Sequence, residues 1–185
     1  IEFEVNKSSG NFSTTGSATF GTINILSCDD LSFASSVIID DLEITLCNDL
    51  TFSSTAELAT LEVTSANDVT FDAGATIDDF TINSAGNVNF NGNASINDLI
   101  IDSAGDIKFE GNAGLGNFSL TSANSTIFNG NTNIQIFSDS AGAGEIKFLG
   151  SGTICSGSAA AQTFSTTSNL ILGNGSSSVI NIGTG

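Results

Sequence analysis

The sequence predicts an all-β protein with the fold of a single-stranded parallel β-helix, a β-solenoid whose coils contain nineteen residues each. The first observation is a phenylalanine that recurs at this spacing: Phe33, Phe52, Phe71, Phe90, Phe109 and Phe128. The second is that each repeat holds three apolar pairs with one residue between the members, which is the period of a β-strand. In one repeat the pairs are Val88/Phe90, Ala94/Ile96 and Leu99/Ile101. Segments rich in the turn-forming residues Gly, Asn and Asp separate the pairs.

Three short strands and three turns per repeat are predicted to make one coil. Six residues after the phenylalanines stand Ile39, Leu58, Ile77, Ile96, Leu115 and Ile134. Nine residues after them stand Leu42, Leu61, Phe80, Leu99, Phe118 and Phe137. Stacked coils place equivalent residues ~4.8 Å apart along the axis, where each buried large apolar side chain contributes ~1.5–3 kcal/mol. An up-and-down antiparallel sheet does not need the same residue at the same spacing, so we expect a parallel stack of about nine coils.

The N-terminal residues 1–13 come before the clear repeat. Ile1, Phe3 and Val5 alternate with acidic residues there, which predicts one strand. We expect this strand to cap the first coil or to pair with a neighbouring molecule. The solenoid of nineteen-residue repeats is predicted to occupy residues 14–154.

The C-terminal part of the chain departs from the repeat. Phe148 follows Phe128 by twenty residues, and we expect the extra residue within Gly142-Ala143-Gly144. Residues 155–185 are predicted to form a loop insertion and a last irregular coil. The small-residue loop and the two strand-like segments in this region are Cys155–Ala161, Leu170–Leu172 and Val179–Ile182.

Charge and composition exclude several classes of function. The chain has 20 acidic and 3 basic residues, a net charge of −17 and no histidine. Such a charge repels nucleic acid and anionic membranes. The absence of histidine removes the commonest general base and the serine-protease triad. Because of this charge we expect no nucleic-acid partner. No apolar run approaches the ~18–20 residues that cross a bilayer, so we expect no membrane insertion of this segment.

A column of aspartates at nineteen-residue spacing supplies the candidate metal ligands. These are Asp30, Asp49, Asp68 and Asp106, with Asn87 at the position between the last two. Carboxylate oxygens in rows are hard ligands of the kind that Ca²⁺ prefers. The alternative is structural, because Asp and Asn also close turns by bonding backbone N–H groups. A second, patchier acidic set consists of Asp40/Asp41, Asp78/Asp79 and Asp98.

Asparagines form another repeated column. Asn93, Asn112 and Asn131 each follow a phenylalanine by three residues. Stacked Asn amides bond one another along a solenoid, so we expect a structural ladder here, with glycan binding as the alternative.

Two of the three cysteines share a position in the repeat. Cys28 and Cys47 occupy the column that later holds Ala66, Ala85, Ala104 and Ala123. They are expected to be small buried residues in place of alanine, with a disulfide between adjacent coils as the alternative. Without histidine a cysteine nucleophile lacks its usual base. Cys155 lies outside this column.

Two outward rows contain the Ser and Thr residues that an ice-binding face uses. The rows are Ser32, Thr51, Thr70, Asn89, Lys108 and Ile127, and Thr45, Thr64, Asn83, Asp102 and Thr121. Asp102, Lys108 and Ile127 interrupt the regularity that an ice face needs.

Polysaccharide cleavage uses paired carboxylates, but the aspartates of this chain recur with the repeat, whereas a catalytic cluster should break it. We therefore expect no enzyme, and both functions stay as lesser alternatives.

The coil resembles the repeats of filamentous-haemagglutinin-type adhesins and autotransporter passengers of bacteria over residues 14–154. The Phe-x-Gly-Asn sequences that begin at Phe90, Phe109 and Phe128 are similar to the Phe-x-x-Asn motif of chlamydial polymorphic outer-membrane proteins. The resemblance implies a right-handed, three-faced β-helix, secretion, and a role in adhesion or in a surface fibre.

The expected function follows from the repeat and from this resemblance. We expect an extracellular, cell-surface β-solenoid that acts as a rigid rod or as a self-assembling fibre subunit, without catalysis or a cofactor. The alternative is a Ca²⁺- or glycan-binding passenger domain of a secreted adhesin. The expected partners are further copies of the chain, joined through open strand edges, or a host or surface glycan or protein.

Overall fold

The computed structural model describes residues 3–6, 10–139, 145–154 and 170–172, and β-strand is the only regular secondary structure in them. The strands are β1 (Phe3–Asn6), β2 (Phe12–Thr14), β3 (Ala18–Ser27), β4 (Asp30–Phe33), β5 (Val37–Ile44), β6 (Asp49–Phe52), β7 (Ala56–Val63), β8 (Ala66–Phe71), β9 (Ala75–Ile82), β10 (Ala85–Phe90), β11 (Ala94–Ile101), β12 (Asp106–Phe109), β13 (Ala113–Leu120), β14 (Ser125–Phe128), β15 (Thr132–Asp139), β16 (Glu145–Phe148), β17 (Gly152–Ile154) and β18 (Leu170–Leu172).

The chain passes alternately through two parallel sheets. The described odd-numbered strands form one nine-stranded sheet, and the even-numbered strands form the other. Partner residues are nineteen apart through most of the stack, as for Val88 with Ile107 and Phe90 with Phe109. The result is a parallel β-solenoid of about 7 turns with ~19 residues per turn. The predicted all-β solenoid is confirmed.

Each regular coil contains two strands rather than the three that the sequence predicts. The pairs Ala94/Ile96 and Leu99/Ile101 lie in one strand, β11, and all four side chains are buried. Two successive residues between the pairs, Asn97 and Asp98, face outward, and the strand pairing skips Asn97. The strand therefore bends there. Its neighbours β9 and β13 carry the same bend, so the hydrogen-bonded ladder continues across the corner.

The core is a stack of aromatic rings along the axis. Phe33, Phe52, Phe71, Phe90, Phe109 and Phe128 are buried, and successive rings lie parallel with centroids 4.6 to 5.0 Å apart. Phe80 and Phe118 approach this stack edge-on, at interplanar angles of 76° to 80°. Both geometries are favourable for aromatic pairs. The predicted internal Phe ladder is confirmed.

Glycine allows successive turns to approach one another closely. A Cβ atom built on Gly111 would lie 2.4 Å from the carbonyl oxygen of Gly92 and 2.8 Å from the backbone nitrogen of Asn93. A Cβ atom built on Gly130 would likewise lie 2.2 Å from the carbonyl oxygen of Gly111. At Gly111 and Gly130, therefore, only a residue without Cβ fits the spacing between the turns. Earlier coils carry Ser35, Ser54 and Ala73 at the same position of the repeat.

The predicted change of register is present. Leu120 pairs with Asp139, nineteen residues on, whereas Ser125 pairs with Glu145, twenty residues on. The extra residue therefore lies between Asp139 and Glu145, a span that includes the predicted site at 142–144.

Several predicted segments lie outside the described residues. They are Ile1, Gly142–Gly144, the loop from Cys155 to Ala161, and Val179–Ile182. The predicted strand at Leu170–Leu172 is observed as β18, which pairs with β16. Within the N-terminal segment, β1 pairs with β3 and β2 pairs with β4.

Candidate functional site

The candidate metal ligands occupy one column of the stack. Asp30, Asp49 and Asp68 lie on three successive coils and pair with one another in register. Asp106 belongs to the same column, but Asn87 stands between it and Asp68. The structure thus brings the first three carboxylates onto adjacent coils and separates the fourth from them.

Neighbouring polar groups donate hydrogen bonds to each of these carboxylates. Asn48 Nδ2 donates to Asp30 Oδ1 (3.1 Å), Asn67 Nδ2 to Asp49 Oδ1 (3.1 Å), Asn87 N and Nδ2 to Asp68 Oδ1 (2.9 Å each), and Ser125 Oγ to Asp106 Oδ1 (2.9 Å). Amide and hydroxyl donors reduce the repulsion between the stacked acids. No group of three or more His, Cys, Asp or Glu side chains is placed to hold a metal ion in the described part of the chain. Calcium binding stays a proposal.

The two cysteines within the described residues are buried and unbonded. Cys28 and Cys47 are both free thiols, 5 % and 3 % exposed, in the column that alanine fills in later coils. Burial raises the pKa of the Cys28 thiol. Burial, with further contributions from Cys28 and from Asp49, raises the pKa of Cys47 to about 12. Both thiols stay protonated at neutral pH and are poor nucleophiles. The prediction of small buried residues in place of alanine is confirmed, and Cys155 lies outside the described residues.

Some side chains in the outward rows considered for ice binding form ion pairs or hydrogen bonds with neighbouring residues. Lys108 forms an ion pair with Glu110, and hydrogen bonds from Lys108 and Asn129 lower the pKa of Glu110. In the other row, Thr121 Oγ1 donates to Asp102 Oδ1 at 3.4 Å. Lys108 and Asp102 lie within the rows, as the sequence indicates.

A groove that the sequence did not predict runs along the coil axis. We call it the axial groove; its volume is about 820 Å³, and three columns of residues on six successive coils line it. The columns are Ser36, Thr55, Gly74, Asn93, Asn112 and Asn131; Val37, Ala56, Ala75, Ala94, Ala113 and Thr132; and Ile38, Glu57, Thr76, Ser95, Gly114 and Asn133. The middle column is buried and consists mostly of alanine, so it forms the floor. The repeated small residue four places after each phenylalanine was the sequence signal for this groove.

The asparagine column forms one wall of the axial groove. Asn93 Oδ1 accepts a hydrogen bond from the backbone N–H of Asn112 at 2.9 Å, and Asn112 Oδ1 accepts one from Asn131 at 3.0 Å. Ser151 Oγ lies 2.6 Å from Asn131 Oδ1 in the next coil. The bonds therefore join a side chain to the following backbone or hydroxyl group, and the predicted amide-to-amide ladder is wrong in this respect.

These bonds fix the direction of the three amides. Each Oδ1 atom is occupied by a donor of the next coil. Within the described residues, no hydrogen bond uses Nδ2 of Asn93, Asn112 or Asn131. The wall therefore presents a row of amide donors that are oriented but unused, with a spacing of ~4.8 Å between coils.

Comparison with protein-family models, with curated protein sequences and with solved structures gave no match to this chain. Among the described residues, no helix has the length and apolar character that a membrane span requires.

Proposed function

We propose that the chain is an extracellular structural or adhesive β-solenoid that acts without catalysis, as a rigid surface rod or as a self-assembling fibre subunit. In this proposal the coils are right-handed and number about nine, at one strand spacing of ~4.8 Å per coil. The observation that carries it is the in-register stack, in which the repeated residues serve the stack itself: the phenylalanines fill the core and the asparagines and aspartates bond successive turns.

Mechanical continuity supports the proposal. Each regular coil is bonded to the next by two parallel ladders, as for β9, β11 and β13 in one sheet and β10 and β12 in the other. A solenoid of this kind has nearest-neighbour contacts only, so its shape is set by the stack and extends along one axis. Such a shape suits a spacer or fibre that projects from a surface.

Self-assembly is the mode of action that the sheet edges favour. In the described chain, β1 and β2 are the terminal strands at one end of the two sheets, and β17 and β18 are terminal at the other. Terminal strands offer backbone N–H and C=O groups to a further strand. A second copy joined end to end would continue both ladders in the same parallel sense.

Electron microscopy of the purified chain tests this proposal. Isolated rods of ~45 Å, about nine coils at the strand spacing, support a rod, and long uniform filaments support a fibre subunit. Round particles without an elongated axis would contradict both. Hydrolysis of a polysaccharide by the purified protein would overturn the non-catalytic assignment.

Calcium binding is a second candidate because Asp30, Asp49 and Asp68 lie on adjacent coils. If Ca²⁺ binds there, it raises the melting temperature of the wild-type chain and has a smaller effect on the Asp49→Asn variant. Asp72→Asn, which removes one charge elsewhere, is the matched control. An unchanged melting temperature in excess Ca²⁺ and in chelator would dismiss this candidate.

A further inference from the structure

We propose that the axial groove binds an extended, uncharged glycan chain, with the side-chain amides of Asn93, Asn112 and Asn131 as its hydrogen-bond donors. The inference rests on the adhesive form of the proposed function and deepens it, because it names the surface and the class of ligand. It requires the folded coil stack, but it does not require assembly into rods or fibres.

The shape of the axial groove selects an extended polymer. Its lining spans six coils, from the Ser36 coil to the Asn131 coil, or about 24 Å along the axis at the strand spacing. Alanine on the floor, as at Ala94 and Ala113, leaves the groove open at equivalent positions of successive coils. One hexose of an extended β-linked glycan is close to one coil step in length, so equivalent sugar oxygens would meet equivalent protein groups.

The wall supplies hydrogen-bond donors in a fixed direction. Asn93, Asn112 and Asn131 each have Oδ1 occupied along the axis, which leaves Nδ2 for a ligand. Because these bonds already hold the amides in place, little side-chain entropy remains to be lost on binding. Thr76 and Ser95 add hydroxyl groups at the opposite wall.

The chemistry of the lining favours sugar hydroxyls over other polymers. A hydroxyl group accepts from Nδ2 and rotates to donate elsewhere. An extended peptide would also need acceptors for its N–H groups, and the Asn93 and Asn112 oxygens each already accept one hydrogen bond. Only Glu57 carries a charge among the described lining residues, and the chain as a whole carries −17. An anionic polymer would be repelled, so the ligand is uncharged.

Calorimetric titration with neutral oligosaccharides tests the inference. The probes are cellohexaose, mannohexaose and xylohexaose at millimolar concentration, with oligogalacturonate as the anionic comparison. We expect one or more of the neutral probes to bind and oligogalacturonate not to bind. Failure of all three neutral probes, or tighter binding of oligogalacturonate or of a neutral Ser/Asn-rich peptide, would overturn the proposal.

Two groove variants locate the binding. Asn112→Asp keeps the Oδ1 acceptor but removes the Nδ2 donor, and we expect binding at least about tenfold weaker, or about 1.4 kcal/mol. Its control is Asn83→Asp, which adds the same charge at an exposed position that does not line the axial groove. Gly114→Leu fills the groove, since a Cβ there meets only the Ala94 oxygen at 3.9 Å, and should abolish binding. Ser122→Leu, outside the groove, is its control.

The melting temperature of every variant is measured alongside, so that a loss of fold is recognised. Equal affinity in wild type, Asn112→Asp and Gly114→Leu would show that the sugar binds elsewhere and would refute the proposal. Rods or filaments in the microscope with no sugar binding would reject the glycan site alone, whereas sugar binding by round particles would reject the rod alone.

Discussion

The phenyl rings of Phe90 and Phe109 lie almost parallel, with centroids 4.6 Å apart and planes 4° from parallel. Phe71 stacks on the other side of Phe90 at 5.0 Å, and Phe80 meets it edge-on at 6.3 Å. The ring is therefore enclosed on three sides by other rings, and its removal leaves a cavity that the flanking coils cannot close without losing their own register.

We accordingly expect Phe90→Ala to lower the free energy of unfolding by about 3–5 kcal/mol. Phe148 belongs to the same stack but is half-buried, with Phe128 at 4.8 Å as its stacking partner. Phe148→Ala should cost clearly less. Urea unfolding followed by circular dichroism measures both, and equal losses at the two positions would contradict this account of the core.

A buried hydroxyl group without a partner gives a stabilising substitution. Thr126 is 1 % exposed, stands in the column that holds Ile107 in the previous coil, and its Oγ1 atom has no hydrogen-bond partner within the described structure. Thr126→Val replaces the hydroxyl with a methyl group of similar size. We expect a gain of about 1–3 kcal/mol, since an unsatisfied buried hydroxyl group costs that much.

Thr132→Val is the matched control for this gain. Thr132 is also buried, at 5 % exposed, but its Oγ1 atom donates to the carbonyl oxygen of Gly130 at 3.3 Å. The valine there should be neutral or destabilising. Thermal melts of the two variants decide the matter, and a stabilisation at Thr132 as large as that at Thr126 would count against the hydroxyl explanation.

The glycines of the turns separate into required and permissive positions. Gly111→Ala would place Cβ 2.4 Å from the Gly92 oxygen, so the two turns must move apart. Gly114→Ala meets only the Ala94 oxygen at 3.9 Å and also reduces the entropy of the unfolded chain. We expect a loss of about 2 kcal/mol or more for the first and no loss for the second. Chemical unfolding of both checks the contrast, and equal stabilities would refute it.

Burial of the Cys47 thiol makes the stability of the fold depend on pH in the alkaline range. In the unfolded chain the thiol has a pKa near 9.0, whereas burial raises the pKa to about 12 in the fold. Between these values the unfolded state releases a proton that the folded state keeps, so the free energy of unfolding falls as pH rises from 9.0 towards 12. Cys47→Ala should flatten this fall, because it removes the thiol that titrates. The fold should accept alanine, since later coils hold alanine at the same position.

Melting temperatures at neutral pH and at a pH between the two values measure the effect. The difference between wild type and Cys47→Ala should grow with pH in favour of the variant. The native thiol should also react slowly with a disulfide reagent and rapidly after unfolding. A difference that is the same at both pH values would contradict the burial of this thiol.

The core could be predicted from the sequence because each core side chain has similar surroundings in every coil. Phe71, Phe90 and Phe109 each have another phenylalanine one coil above and one coil below. The spacing alone therefore identified these three as stacked. The strand count was wrong for a related reason. Two outward residues, Asn97 and Asp98, indicate a turn in an isolated chain, but identical bends in adjacent coils let the ladder pass through them.

The candidate site was harder to predict than the core. The column of Asn93 and Asn112 is visible in the sequence, yet the atom that accepts each bond depends on how the turn is oriented above its neighbour. The axial groove lies where the turn that ends at Asn93 meets β11, and residue spacing does not encode the shape of that junction. The hydrogen bond from Asn48 to Asp30 joins different columns of the repeat, so a search for like residues at equal spacing does not find it.

The in-register pairing of the coils makes the length of the protein adjustable. Removal of residues 87–105 would bring Phe71 into stacking distance of Phe109, where each ring already has a parallel neighbour of the same kind. Duplication of the same residues would insert a coil in the same way, and either change alters the height of the stack by about 4.8 Å. The length of the stack is thus a quantity that deletion or duplication of a repeat changes in uniform steps, with ring stacking of the kind already present.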